Sequence, residues 1–161
     1  MTTTAEALSE RHGARARSAH LRAEAACRHA GIDPASAPPV PDSLPARAAG
    51  ALRLSAGSLA ALASAPAGSD PAAAARCARN AAAAAALAAQ AAAGPTPTPA
   101  LGTALAASRA AGAAATGVAA GRDPGLNSAA EETERLAVTA ARTEGWLPPA
   151  PNAVDGAATA G

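Results

Sequence analysis

Several residue types that build sheets and phosphate-binding loops are missing from this chain. Phe, Tyr and Lys are absent, Trp146 is the only tryptophan, and there are four valines and one isoleucine. Strands favour β-branched and aromatic residues, so no sheet is expected. A Walker-type nucleotide loop needs a lysine, and the absence of lysine therefore excludes that kind of site.

The chain also lacks a strong charge of either sign. Its net charge is +1 over 161 residues, which gives no overall bias toward nucleic acid, anionic lipid or an acidic partner. The longest uncharged stretch, residues 81–108, is mostly alanine and is interrupted by Gln90, Gly94 and three prolines. Alanine drives membrane insertion weakly, so we predict no membrane contact.

Export and metal signals are equally sparse. Residues 1–8 lack an apolar core of signal-peptide length, so we expect no export signal and a cytoplasmic location. Cys27 and Cys77 have no paired spacing, which indicates neither a disulfide framework nor a zinc module. His20, Glu24 and Cys27 share a helical stripe, but a rise of roughly 10 Å from His20 to Cys27 is too long for one ion. We predict no metal and no cofactor.

Alanine dominates what is present. The chain has 58 alanines, against 13 leucines, and alanine has the highest intrinsic helix propensity. The composition predicts an all-α fold: an alanine-rich bundle of four to five helices with proline-rich connectors. Residues 1–147 would form one domain, and 148–161 a disordered tail.

A Gly-x-Asp-Pro motif occurs three times, at 31–34, 68–71 and 121–124. Glycine can close a helix, aspartate can cap the next one, and proline suits a first helical turn. We therefore predict helices near 3–31, 43–64, 71–94 and 98–120. A fifth is expected to start at a capping box formed by Ser128 and Glu131 and to end at Gly145. Residues 33–45 are expected to be extended, because five prolines interrupt them.

Helical periodicity assigns an apolar face to three of these helices. In the first helix the face comprises Ala7, Ala14, Ser18, Leu21 and Ala25, with His12, Arg15 and Arg22 on a different side. In the second, the best stripe in the chain comprises Ala48, Leu52, Ser55, Leu59 and Leu62. In the fourth it comprises Leu101, Leu105, Ser108, Gly112, Ala115 and Ala119. The third helix is almost purely alanine apart from the side that carries Leu87.

The first helix carries the strongest local charge. Its candidate phosphate or acidic-partner contacts are Arg11, Arg15, Arg17, Arg22 and Arg28, with Glu24 as the only acid among residues 11–30. Phosphate binding by these arginines is one interpretation. The alternative is an internal counterpart, because the fifth helix begins with Glu131, Glu132 and Glu134.

Trp146 follows a helix terminator and precedes two prolines. It can act as an anchor for docking another protein, or fold back over the end of the bundle. No set of residues indicates catalysis, so we predict a protein that is not an enzyme. The sequence favours a structural or accessory role through protein–protein contacts, with self-association. A nucleic-acid-associated helical protein is the alternative.

Overall fold

A computed structural model describes residues 4–36, 38, 40–66 and 70–151. Within these ranges the chain forms five α-helices and no strand, which confirms the all-α prediction. The helices are α1 (Thr4–Ala30), α2 (Leu44–Ser64), α3 (Pro71–Ala93), α4 (Pro99–Ala114) and α5 (Pro124–Thr143). Thr3, predicted at the start of α1, and most of the predicted tail lie outside the described residues.

Side-chain caps set the starts of four helices. The cap residues are Ser43, Asp70, Thr98 and Asp123, and each accepts a hydrogen bond from a backbone N–H of the first turn. Each cap is followed by proline within two residues. Since the first backbone N–H groups of a helix have no intrahelical acceptor, these caps satisfy donors that the fold leaves open.

Two helix boundaries differ from the sequence prediction, at the junction of α4 and α5. The fourth helix ends at Ala114 instead of residue 120, because the Gly121 N–H binds the Ala114 carbonyl at 2.7 Å and closes it. The fifth begins at Pro124, four residues before the predicted cap. Asp123 caps Leu126 N–H at 2.9 Å, and Ser128 lies inside the helix. The third Gly-x-Asp-Pro motif, and not the predicted capping box, therefore sets the start of α5.

The connector between α1 and α2 is also less extended than predicted. Pro34–Ser36 form a single turn of 3-10 helix. The Asp33 side chain accepts from the Ala35 N–H at 3.0 Å and from the Ser36 hydroxyl at 3.1 Å. Proline fixes the backbone angle that such a turn needs, so the local aspartate overrides the extended preference of the proline run.

Helix α3 lies at the centre of the bundle. It packs against α1 most extensively and also against α2 and α4, while α5 packs on α4 and meets only an edge of α1. Twelve of its residues are buried, ten of them alanine. Small side chains let helix axes approach toward the short end of the usual range of about 8–10 Å. The core is therefore built from close backbone approach more than from large side chains.

The buried face of α1 differs from the predicted one, of which Ala25 alone is buried, at 2% exposed. Ala14 is exposed and Leu21 is 57% exposed, whereas the face that packs on α3 is a neighbouring alanine stripe. That stripe comprises Ala16, Ala19, Ala23 and Ala26, each at most 2% exposed. His12, Arg15 and Arg22 are buried on the same side. Alanine permits the close contact with α3 that leucine would prevent, so the smaller residues occupy the interface.

Of the apolar faces predicted for α2 and α4, the first is buried as expected and the second is not. Ala48, Leu52 and Ser55 of α2 are buried, which confirms its stripe as a core face. In α4 the buried stripe lies one residue before the predicted one. It comprises Ala100, Ala104, Ala107, Ala111 and Ala114. The leucines Leu101 and Leu105 are only partly buried, because alanine again takes the closest contact.

Candidate functional site

The polar contact between α1 and α5 is the densest cluster of charged side chains in the described residues. Arg22 donates from Nε and Nη2 to the two carboxylate oxygens of Glu134, at 2.7 and 2.6 Å. Ser18 donates to the same carboxylate at 2.8 Å. Both charged side chains are buried, 4% and 7% exposed. The two residues, 112 positions apart in the sequence, thus form a bidentate ion pair that is shielded from solvent.

A second pair lies toward the solvent on the same contact. Arg11 donates to Glu131 at 2.8 and 2.9 Å, and the two side chains are 50% and 40% exposed. The Arg11 guanidinium lowers the pKa of the Glu131 carboxyl, chiefly through this hydrogen bond. Glu131 and Glu134, in the middle of α5, are therefore the internal counterpart of the basic first helix, which is the alternative interpretation of its arginines.

Arg15 lies between these two pairs and has no carboxylate bonded to it. Its Nη2 donates to His12 Nδ1 at 2.8 Å, while its Nε and Nη1 are buried with no hydrogen-bond partner. Burial lowers the pKa of the Arg15 guanidinium, and Glu134 and Glu131 oppose that shift. The cluster thus holds three guanidiniums, on Arg11, Arg15 and Arg22, against two carboxylates.

His12 links this cluster to the α4–α5 junction. A carbonyl only accepts and a guanidinium only donates, so His12 must donate from Nε2 to the Gly121 carbonyl at 2.8 Å and accept at Nδ1. Asn127 donates to the same carbonyl at 3.0 Å. The Gly121 carbonyl therefore ties α1 and α5 together through one neutral imidazole tautomer.

This tautomer makes stability sensitive to mild acid. Burial lowers the pKa of His12 below the usual 6.5, with Arg15 and Arg11 acting in the same direction and the Gly121 bond and Glu131 opposing. Because the unfolded chain then binds more protons, stability is full above about pH 6.5 and falls as pH drops toward the folded-state pKa, by at most about 1.4 kcal/mol per unit. Urea midpoints between pH 7 and 5 measure this slope.

A His12→Gln variant is the matched control for that measurement, since it keeps His20 and His29 but cannot titrate at position 12. We expect its midpoint to depend less on pH over the same range than that of the unaltered chain. Identical slopes for the two proteins would contradict the assignment of the effect to His12.

The remaining predicted arginines lie apart from the cluster. Arg17 and Arg28 are exposed, and Arg28 is 3.9 Å from Glu24 on its own helix. The five arginines therefore do not form one open surface. Arg11 and Arg22 contact α5, Arg15 is buried, and the other two face solvent at different positions along α1.

His20 forms a contact that the sequence did not predict. Its Nε2 donates to Glu24 at 3.0 Å, because a carboxylate only accepts, and in the neutral imidazole Nδ1 then accepts from the Ser55 hydroxyl at 2.9 Å. Serine, histidine and carboxylate are hydrogen-bonded in the same order as in the catalytic triad of serine hydrolases. Ser55, however, is 0% exposed within α2, so no substrate carbonyl reaches its oxygen in this arrangement. The contact holds α1 against α2, and a polar residue inside the apolar stripe of α2 was its signal in the sequence.

The two cysteines are buried and unpaired. Cys27 packs in the main core cluster, and Cys77 packs beside Ala16 and Ala78 in another. Burial raises the pKa of both thiols, which keeps them protonated and poorly nucleophilic. Among the described residues, no group of three or more His, Cys, Asp or Glu side chains is arranged to hold a metal ion.

Trp146 lies at the end of the bundle and is 9% exposed. Its backbone N–H donates to the Ala141 carbonyl at 2.9 Å after the turn at Gly145, and its ring centroid lies 5.9 Å from that of His29. It belongs to the main core cluster. Trp146 therefore folds back over the end of the bundle, and its side chain offers little exposed surface for docking another protein.

The outer side of α2 is open, and beyond the exposed Arg47 and Arg53 it carries no charge. Leu54 of α2 is 73% exposed, and no charged residue occurs from Leu54 to Ser69 in the sequence. A Cβ added at Gly50 or Gly57 would meet no atom within 4 Å. We call the exposed side of α2 around Gly50, Leu54, Gly57 and Ala61 the outer α2 face.

Comparisons with known proteins gave no match: no family model, curated protein or solved structure is significantly similar to this chain. In the part of the chain that the structure describes, no helix is long and apolar enough to cross a membrane.

Proposed function

We propose that this protein is a non-enzymatic helical accessory protein that acts through protein–protein contacts, and that it self-associates through the outer α2 face. The observation that carries the proposal is Leu54, 73% exposed at the middle of this face. Burying a leucine side chain fully contributes about 1.5–3 kcal/mol. The alanine faces of α1, α3 and α4 are already packed within the chain.

The shape and charge of the face suit a second copy of the chain. Small residues at Gly50, Gly57 and Ala61 allow two helices to approach closely around Leu54. The charged residues of α2 are Arg47, on the same side as Leu54, and Arg53, at the edge of the face; both are exposed and precede Leu54.

In a dimer with two-fold symmetry the arginines of the two α2 helices stay apart. Two antiparallel copies that cross at Gly57 place Arg53 of one copy opposite Ala61 of the other. The equivalent arginines are then separated along the axis by roughly 12 Å, which exceeds the Debye length of about 8–10 Å at moderate salt. A symmetric, isologous contact is the commonest kind of homo-oligomer interface.

Sedimentation equilibrium over a range of concentrations tests the proposal. We expect the unaltered chain to show a concentration-dependent rise in mass above the monomer. Leu54→Glu places a charge at the centre of the face and should weaken association by at least about tenfold, equivalent to about 1.4 kcal/mol.

Val118→Glu is the matched control, because Val118 is fully exposed in the α4–α5 junction and outside the outer α2 face. It should associate as the unaltered chain does. A chain that stays monomeric at every concentration, or equal association by all three proteins, would remove the proposal.

Nucleic-acid binding is not favoured by the geometry of α1. Of its five arginines, Arg11 and Arg22 already bind carboxylates and Arg15 is buried. Phosphate contacts along a nucleic-acid backbone need several exposed cations on one surface. We therefore keep self-association as the one proposed function.

A further inference from the structure

An open groove lies beside the α1–α5 contact. Its volume is about 420 Å³. Four arginines line it, Arg11 and Arg15 from α1 and Arg135 and Arg142 from α5, together with Glu131 and Glu134. This arrangement is independent of the outer α2 face.

The two carboxylates in the groove are already engaged. Glu134 accepts three hydrogen bonds, two from Arg22 and one from Ser18, and Glu131 accepts two from Arg11. Neither carboxylate is hydrogen-bonded to Arg15. The groove therefore has a positive charge at its base that the protein does not match.

That charge is poorly screened. Arg15 is 6% exposed, and two of its guanidinium nitrogens have no partner. Charges near a protein interior interact several times more strongly than in bulk water, because the local dielectric constant is lower. Since Nε and Nη1 of Arg15 are covered from solvent, the residue acts on an anion through its charge, and direct contacts must come from other side chains.

Two such side chains stand on the rim. Arg135 and Arg142 lie seven residues apart on α5, about two helical turns, with Val138 and Thr139 between them. Arg142 is exposed. Arg135 pairs with Glu132 at 2.6 Å, but the two side chains are 63% and 56% exposed, so solvent competes strongly for that pair.

We propose that this groove binds a small anion through a phosphate or carboxylate group. Arg142 and Arg135 donate hydrogen bonds to the anion, and the buried charge of Arg15 attracts it into the groove. Guanidinium groups match both kinds of anion, since their N–H groups can donate in pairs.

Isothermal titration of the full chain with inorganic phosphate, in chloride buffer of constant ionic strength, tests the site. We expect saturable binding, and a parallel titration with acetate shows whether a carboxylate is sufficient. Arg142→Gln and Arg135→Gln are exposed changes that should each weaken phosphate binding by about tenfold.

Arg109→Gln supplies the control, because Arg109 is exposed on α4 and does not line the groove. Binding should be unaltered in this variant. Arg15→Met removes the buried charge and should also weaken binding; if that variant does not fold, the two rim variants still decide the question. No saturable heat with either anion, or equal weakening by Arg109→Gln, would overturn the proposal.

Discussion

Replacing Gly121 with alanine should cost roughly 2–5 kcal/mol of folding stability, the sum of about 1–2 for left-handed backbone strain and 1–3 for overpacking. Gly121 has a φ of +76°, and an added Cβ would lie 2.6 Å from the Pro71 carbonyl oxygen at the start of α3. Relieving that overlap would also move the Gly121 carbonyl, which binds His12 and Asn127.

The chain offers a matched control for this substitution. Gly117 has a φ of +82°, but a Cβ there would meet no atom within 4 Å. Gly117→Ala should therefore cost only the backbone strain, about 1–2 kcal/mol. Urea unfolding followed by far-ultraviolet circular dichroism measures both losses. Equal losses would show that the junction does not approach α3 as closely as the structure has it.

Replacing Glu134 with leucine should destabilise the fold by about 3–5 kcal/mol, because it leaves the buried guanidinium of Arg22 without its counter-charge. Ser18 also loses its acceptor. The comparison is Glu131→Leu, which breaks the half-exposed pair with Arg11 and should cost about 0–1 kcal/mol.

Urea midpoints rank these two variants directly. The expected order is a large shift for Glu134→Leu and a small one for Glu131→Leu. If the two shifts are alike, the Arg22–Glu134 pair is not buried in solution, and the α1–α5 contact differs from the one described here.

The positions of the helices were predictable from local chemistry. Ser43, Asp70 and Gly94 mark helix ends in the sequence as in the structure, because capping and left-handed glycine are decided within a few residues. The start of α5 was missed because two capping signals compete there. Asp123 directly precedes a proline at the first helical position, and this combination prevails over Ser128.

The buried faces were harder to predict, since alanine occurs on every side of these helices. Periodicity marks Leu21 and Leu101 as core residues because they are large. In a bundle held by close backbone approach the smallest residues take the interface, so Ala19 and Ala104 are buried instead. Size, the usual guide to a core, therefore points to the wrong side of α1 and α4.

The candidate site was predictable in part. Opposite charge on the first and fifth helices indicates their pairing, and Arg11 with Glu131 fits that expectation. The burial of Arg15 and Arg22 was not foreseen, because charged residues are rarely fully buried and periodicity placed them away from the apolar face. The contact of His12 with Gly121 depends on tertiary packing and has no local signal. Ser55 within the apolar stripe of α2 indicates a polar contact, but its partner His20 also depends on tertiary packing.

We expect the buried Arg22–Glu134 pair to determine that α5 packs beside α1, since alanine surfaces fit one another in many arrangements. The most direct test is a double-mutant cycle on Arg22→Met and Glu134→Leu, with unfolding free energies measured in urea. We expect the double variant to be more stable than the sum of the single losses implies, by about 2–3 kcal/mol, because removing both charges leaves neither one buried and unpaired. Additivity within about 0.5 kcal/mol would mean that the two side chains do not meet, and would contradict the arrangement of α1 and α5.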